Sequence, residues 1–260
     1  MNQCFNDQSR RMFIKIMANS RLLDREMVGS TVFSGFVKTG LPTQLDSKTL
    51  LVPTVLGKSA DLASPQLLNQ EILGIFKKIK QDFIGPVYES LCIENLIEEL
   101  SLCFIGQKQI EKYLDIILVA VGHNKKFPIH GDLQKQNIFF DNQENITLID
   151  FEHFCFGPQE LELANSIFHN DSNCLDLMTI LPPLIKQGII SVDLLVLMFL
   201  LYTLKEIVQG TSINTARKNY QRGIDIVSQF TGKKQLLAFP KFRSENFSIN
   251  RQSYCFTSFD

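Results

Sequence analysis

The sequence predicts an α+β protein with two lobes, a small antiparallel β lobe followed by a mostly helical lobe. Short apolar runs typical of strands occur at residues 12–17 and in the 50s, ending at Gly57. Beyond that glycine, apolar residues recur mainly at helical spacing. We therefore assign residues 1–57 to the first lobe, 58–238 to the second, and 239–260 to a polar tail, with a hinge at 56–57.

Length and charge exclude several classes of protein. The 260 residues, 45% of them hydrophobic, suffice for a sizeable core. Twenty-six basic and 27 acidic residues leave a net charge of −1, which favours neither nucleic acid nor an anionic membrane as partner. The most apolar run, residues 194–204, is shorter than the roughly 20 residues of a membrane span. Without Cys-x-x-Cys pairs or a signal peptide, we expect a cytoplasmic protein with free thiols, and its oligomeric state stays open.

The first predicted elements are a β-hairpin and a helix. Residues 12–17 follow the turn-like letters NDQSRR and form an apolar run that contains Lys15, which predicts the second strand of the hairpin. Asn19 or Ser20 is placed to cap the helix that follows. Because a strand lysine and a glutamate on the next helix meet when that helix packs on the sheet, we predict an ion pair between Lys15 and Glu26.

The remaining chain is predicted to be mainly helical, with one further hairpin. Two β-like runs at residues 138–140 and 146–151 flank the polar turn DNQEN. The predicted helices cover residues 64 to about 80, 93 to about 102, 107 to about 121, 161–168, 191–208 and 212–230.

The chemistry-bearing residues lie at the two ends of this second hairpin. The letters HGDLQKQN occupy residues 130–137, and IDFE occupies residues 149–152. Phosphoryl transfer needs one carboxylate to orient the attacking hydroxyl and accept its proton, and hard oxygen ligands to hold Mg²⁺ against the ATP phosphates. Asp132 suits the first role, and Asn137 and Asp150 suit the second.

These residues resemble the aminoglycoside phosphotransferase and choline kinase family, whose catalytic loop reads H-G/N-D-x-x-x-x-N and whose metal strand reads I-D-F/W-x. The resemblance implies a bilobal protein-kinase-like fold. It also implies Mg²⁺-dependent transfer of the ATP γ-phosphate to a small-molecule hydroxyl acceptor, such as an amino sugar, a choline-like alcohol or a glycan precursor. In this resemblance Asp132 is the catalytic base, Asn137 and Asp150 are the magnesium ligands, and His130 braces the loop.

Further positions extend the resemblance. Lys15 in FIKI is similar to the lysine that grips the α- and β-phosphates, and Glu26 to the helix glutamate that pairs with it. The letters GPQELELA, ending at residue 164, resemble the family's G-D-P-x-x-D-L-A, with Glu162 in place of the usual aspartate. Gln134 stands where protein Ser/Thr kinases commonly carry a lysine, which favours a small-molecule acceptor.

The N-terminus departs from the family pattern. None of the 14 residues before Lys15 is glycine, so the family's first strand and glycine-rich loop have no counterpart. Three explanations stay open. The reading frame starts inside a longer gene, or the chain binds nucleotide with a reduced first lobe, or the protein is a degraded kinase. The alternative function is therefore a catalytically impaired pseudokinase that acts as a binding module.

Two groups of residues near the predicted cleft have open or unassigned roles. Glu152, Glu160 and Glu162 either attract a cationic substrate or brace the structure through caps and salt bridges. His153 and His169 lack a second ligand at metal-binding spacing, and we assign them no role.

Overall fold

The computed structural model describes residues 3–7, 10–55, 57–60, 64–165, 176–231 and 237–240. The strands are β1 (Gln3–Asp7), β2 (Arg10–Ile16), β3 (Lys38–Thr39), β4 (Thr43–Gln44), β5 (Thr49–Pro53), β6 (Lys58–Ser59), β7 (Phe127–Ile129), β8 (Ile138–Phe140), β9 (Ile146–Leu148) and β10 (Cys155–Gly157). The helices are α1 (Ser20–Phe33), α2 (Pro65–Asp82), α3 (Ile93–Cys103), α4 (Lys108–Gly122), α5 (Glu160–Asn165), α6 (Leu177–Lys186), α7 (Val192–Val208) and α8 (Ile213–Thr231). The α+β fold class is confirmed.

The N-terminal sheet has the strand order β1-β2-β5-β4 with antiparallel neighbours. Lys15 lies opposite Leu50 in the middle of this sheet. The Asn19 side chain accepts a hydrogen bond from the Leu22 N–H and so caps α1, as the sequence predicts. A small apolar cluster joins helix and sheet, and it contains Met17, Leu22, Leu23, Leu50 and Val52.

Two further sheets hold the segments that carry the motifs. The first has the order β3-β9-β8-β6, with β3 parallel to β9 and the other neighbours antiparallel. The second pairs β7 with β10 antiparallel. Residues 130–137 therefore run from the end of β7 to the start of β8, and residues 149–154 run from β9 to β10. The two motifs lie side by side between these sheets.

The helices after β6 form most of the main core. α7 contacts α3, α4, α5 and α8. Its side chains are buried around nearly the whole helix, as expected for a helix that is apolar on all sides. Ser64 and Ser191 cap α2 and α7, each through its side-chain oxygen. No helix in the described residues is long and apolar enough to cross a membrane.

The structure differs from the sequence predictions at several elements, among them the short strands β3, β4, β7 and β10, which were not predicted. The strand predicted to end at Gly57 stops at Pro53, and a separate short strand, β6, follows. α6 was not predicted, since Pro182 and Pro183 within it lower its helical propensity. Residue 56 of the hinge, residues 166–168 of a predicted helix and 241–260 of the tail lie outside the described residues. The division into lobes stays a prediction.

Candidate active site

His130 connects the two motif segments. Its ring is fully buried, and its Nδ1 accepts a hydrogen bond from the Asp132 N–H at 3.3 Å. This assigns the proton to Nε2, which donates to the Ile149 carbonyl oxygen at 2.9 Å. Burial lowers the pKa of His130, in agreement with a neutral ring. His130 therefore holds the loop against the end of β9, which is the place of the predicted brace.

The backbone of the loop is held from α5. Glu162 Oε2 accepts hydrogen bonds from the His130 N–H at 2.7 Å and from the Gly131 N–H at 3.2 Å. Asn165 Nδ2 donates to the Gly131 carbonyl oxygen at 2.8 Å. Burial raises the pKa of Glu162 to about 7, although the backbone donors favour its charged form. α5 thus fixes the residues just before Asp132.

Two amide side chains orient the Asp132 carboxylate. Gln134 Nε2 lies 2.8 and 2.7 Å from the two Asp132 carboxylate oxygens. Asn137 Nδ2 donates to Asp132 Oδ2 and to its carbonyl oxygen, both at 2.9 Å. These contacts occupy the Asn137 amide nitrogen, so its amide oxygen is the group left for a ligand. The contact of Gln134 with the carboxylate was not predicted, although its place two residues after Asp132 was the available signal.

Lys15 connects the N-terminal sheet to the motif segments. Its Nζ lies 3.0 Å from Glu26 Oε2, 2.7 Å from Asp150 Oδ1 and 3.5 Å from Glu152 Oε2. The predicted ion pair between Lys15 and Glu26 is present. Burial acts to lower the pKa of Lys15, but the three carboxylates outweigh it and raise that pKa. Lys15 is therefore a permanent cation among three acids.

Lys15 is the only cation in contact with these three acids among the described residues. Burial raises the pKa of Glu26 and raises the pKa of Glu152 to about 7, while Lys15 opposes both shifts. Asp150 has φ +66°, in the left-handed region that non-glycine residues rarely adopt. Such strain persists only where the surroundings impose it, and here it accompanies a carboxylate in contact with Lys15.

The residues predicted to hold Mg²⁺ offer suitable oxygen donors. The Ile149 N–H donates to the Asn137 carbonyl oxygen at 3.0 Å, which places Asn137 beside the segment that ends in Asp150. Mg²⁺ is commonly bound by one or two protein oxygens together with substrate phosphates. Within the described chain, no cluster of three His, Cys, Asp or Glu side chains could hold a metal alone. The donor set fits a metal that arrives with a nucleotide.

The three glutamates with open roles are engaged within the protein. Glu160 accepts a hydrogen bond from the Ser191 N–H, just before α7. Glu162 binds the loop backbone, and Glu152 pairs with Lys15. These contacts favour the bracing interpretation over attraction of a cationic substrate.

The fold and this arrangement define the protein-kinase-like class, in which a strand lysine, a helix glutamate, a loop Asp and Asn, and a metal Asp recur together. The sequence model of the phosphotransferase enzyme family, APH, matches residues 107–177, which include the loop and Asp150. A search of curated protein sequences finds no match.

Solved structures share the fold over most of the chain. A thermostable mutant of aminoglycoside phosphotransferase APH(4)-Ia, in ternary complex with AMP-PNP and hygromycin B, has a TM-score of 0.60 and 15% identity over 89% of this chain and 90% of that chain. ADP-bound APH(2'')-Ib has a TM-score of 0.55 and 10% identity over 88% and 94%. The choline kinase LicA from Streptococcus pneumoniae has a TM-score of 0.51 and 14% identity over 88% and 90%. The predicted resemblance is confirmed.

Proposed function

We propose that the chain is an ATP- and Mg²⁺-dependent phosphotransferase that acts on a hydroxyl of a small molecule. The observation that carries the proposal is the convergence of distant segments on one site. Lys15 contacts Asp150 across 135 positions of sequence, and the segment before Asp150 is hydrogen-bonded to Asn137. Asn137 in turn orients Asp132. The buried free thiols of the described chain support a cytoplasmic location.

Each residue has a defined role in the proposed transfer. Lys15 binds the nucleotide phosphates, and its ion pair with Glu26 keeps the Lys15 side chain extended across the cleft. Asn137 and Asp150 would hold Mg²⁺, which when bound would neutralise part of the phosphate charge. Asp132 orients the acceptor hydroxyl and takes its proton while the acceptor oxygen bonds to the γ-phosphorus and the bond to ADP breaks. The products are ADP and the phosphorylated acceptor.

A thermal-shift titration tests nucleotide binding. Mg-ATP at 100 times its Kd is expected to stabilise the wild type by about 2.7 kcal/mol. Asp150→Ala is expected to abolish the Mg²⁺-dependent part of this shift, because the metal loses its anionic ligand. Asp115→Ala, which removes an exposed carboxylate on α4, is the matched control and is expected to keep the shift. No Mg²⁺-dependent shift with ATP or GTP in the wild type contradicts the proposal and favours the pseudokinase.

Slow ATP hydrolysis without acceptor tests the role of Asp132. Asp132→Asn keeps the shape of the side chain and removes the base. Because general-base catalysis contributes roughly 10²- to 10⁴-fold, hydrolysis is expected to fall by that factor while Mg-ATP affinity stays nearly constant. Full hydrolysis by this variant contradicts the assignment of Asp132 as the base.

A further inference from the structure

A small cavity lies beside the catalytic loop, between α2, β7 and the N-terminal end of α5. Apolar side chains form most of its wall, and its polar lining consists of His130, Gln159 and Glu162. Its volume of about 20 Å³ exceeds the roughly 10–15 Å³ that one water molecule needs. The cavity therefore has room for a single water and is too small for a metabolite.

Two buried oxygens belong to side chains of this lining and require a donor. Gln159 is 2% exposed and Glu162 is 5% exposed. Neither Gln159 Oε1 nor Glu162 Oε1 has a hydrogen-bond partner among the described residues, although buried polar atoms in folded proteins nearly always have one. The Glu162 N–H donates to the Gln159 carbonyl oxygen at 3.2 Å, so both side chains leave one turn of the backbone.

The side chains of the lining supply no donor for these oxygens. His130 uses both ring nitrogens elsewhere, since Nδ1 accepts from the Asp132 N–H and Nε2 donates to the Ile149 carbonyl oxygen. Gln159 Nε2 donates to the Phe76 carbonyl oxygen at 3.0 Å, and exchanging the amide oxygen and nitrogen would set two acceptors against each other there. The rest of the lining carries no polar side chain. The donor therefore comes from a bound molecule or from a proton on Glu162.

We propose that this cavity binds one water molecule, which donates one hydrogen bond to Gln159 Oε1 and the other to Glu162 Oε1. The two O–H groups of a water match the two acceptors in number, and buried waters in proteins typically make two to four such bonds. The site is a water site by size, by polarity and by the absence of a side-chain donor in its described lining.

The water joins α2 to the catalytic loop. Gln159 bonds the Phe76 carbonyl of α2, and Glu162 Oε2 accepts the N–H groups of His130 and Gly131. The water connects these two side chains and completes the chain of contacts. Gln159 is thereby a positioning residue for the loop, a role that rests on the proposed function because the next residue of the loop is the base.

The water and a proton on Glu162 differ in their effect on its charge. Burial and the Asp132 charge raise the pKa of Glu162, to about 7, against the backbone donors of the loop. A water that donates to the carboxylate favours its charged form and lowers that pKa. Titratable groups near Glu162 are Asp132, His130 and Cys155, while the lining from α1, α2, β7 and β9 is apolar. These neighbours cancel when variants at Glu162 are compared.

A crystal structure of the wild type, at a resolution that shows ordered water, tests the site directly. One water is expected about 2.5–3.0 Å from Gln159 Oε1 and from Glu162 Oε1. A cavity without a density peak, or direct contact between the two oxygens, overturns the inference.

The pH dependence of folding tests the same site in solution. Folding equilibrium constants of the wild type and of Glu162→Gln are measured in urea at pH 6 and pH 8. A carboxyl with a pKa of about 7 in the fold and about 4.3 in the unfolded chain loses stability as pH rises, so the ratio of the two constants would fall about tenfold. With the water bound, Glu162 is already ionised at pH 6, and the ratio is expected to change less than about twofold. A tenfold fall overturns the inference.

Gln159→Met locates this effect in the cavity, because it removes one of the two acceptors at similar side-chain length. The ratio for Glu162 against Gln, measured in this background, is expected to fall about tenfold between pH 6 and pH 8. Asn95→Leu is the control background, since the half-buried Asn95 Nδ2 donates to the Glu89 carbonyl oxygen at 2.8 Å, away from the cavity. A ratio as constant in Gln159→Met as in the control overturns the inference.

Acceptor-free ATP hydrolysis tests the positioning role. Gln159→Met is expected to lower kcat about tenfold and to leave KM for Mg-ATP within about twofold, because a small displacement of the base slows the chemical step. Asn95→Leu is expected to keep both constants. An unchanged kcat in Gln159→Met overturns the positioning role. If the wild type shows neither hydrolysis nor a Mg-ATP shift, the proposed function fails, and the crystal and pH tests, which use no nucleotide, still decide the water site.

Discussion

Gly131→Ala is expected to damage the catalytic loop beyond the cost of its backbone conformation. Gly131 has φ +81°, which costs an L-residue roughly 1–2 kcal/mol. A Cβ at this position would lie 2.2 Å from the His153 carbonyl oxygen, whereas real Cβ contacts stay above 3.0 Å. The difference between 3.0 and 2.2 Å means that the two backbone segments must separate by about 0.8 Å. Such overpacking costs typically about 1–3 kcal/mol.

Gly106→Ala is the matched control, because Gly106 has φ +85° and open space around the position of the added Cβ. We expect Gly106→Ala to lower the free energy of unfolding by roughly 1–2 kcal/mol and Gly131→Ala to lower it by roughly 2–5 kcal/mol. Urea unfolding at equilibrium measures both values. Equal losses in the two variants would refute the close approach of Gly131 to His153.

The same pair of variants separates stability from activity. The Gly131 N–H and carbonyl are both bonded to α5, so a displacement at Gly131 moves Asp132, which follows it. Gly131→Ala is expected to lose most of its acceptor-free ATP hydrolysis, and Gly106→Ala is expected to keep it. Normal hydrolysis by a folded Gly131→Ala would show that the placement of Asp132 does not depend on this contact.

Three further variants probe the Lys15 side of the site, and a fourth, Gly74→Ala, is a control elsewhere. Gly29→Ala is expected to weaken Mg-ATP affinity in a titration, because the added Cβ would lie 2.7 Å from Phe151 Cβ and push α1 away. Gly74→Ala has open space for its Cβ, and its free energy of unfolding in urea is expected to rise by roughly 0.4–1 kcal/mol. Lys15→Met is expected to cost roughly 3–5 kcal/mol at pH 8 and less at pH 5, where Glu152, whose pKa is raised to about 7, is protonated. Burial raises the pKa of Glu152 to about 7 in the fold, so the folded protein loses stability as pH rises toward 7 and this carboxyl ionises. The free energy of unfolding of Glu152→Gln in urea is expected to exceed that of the wild type by roughly 1–3 kcal/mol at pH 8, and by less at pH 5.

The sequence predicts the parts of the site that depend on local spacing. Asp132 and Asn137 belong to one loop, and the hairpin that follows brings Asp150 back beside them. Lys15 and Glu26 are only 11 positions apart, on a strand and on the helix that packs against it. Cap residues such as Ser64 likewise mark helix starts through a bond to their own first turn.

Features that depend on packing between distant segments were not predicted. Arg25 and Lys205 line one cavity, although nothing in their local sequence indicates that α1 and α7 meet there. The parallel pairing of β3 with β9 involves two residues in each strand, too few for a periodic signal. The contacts of Glu162 with the loop backbone depend on the position of α5, so the sequence left its role open.

Lys15 is, in the described part of the chain, the single cation among three carboxylates of the site. Its Nζ contacts Glu26, Asp150 and Glu152, and burial raises the pKa of Glu26 and of Glu152 although Lys15 opposes both shifts. In the proposed transfer, a divalent cation that arrives with the nucleotide adds positive charge beside Asp150. Nucleotide and metal are therefore expected to bind together rather than separately.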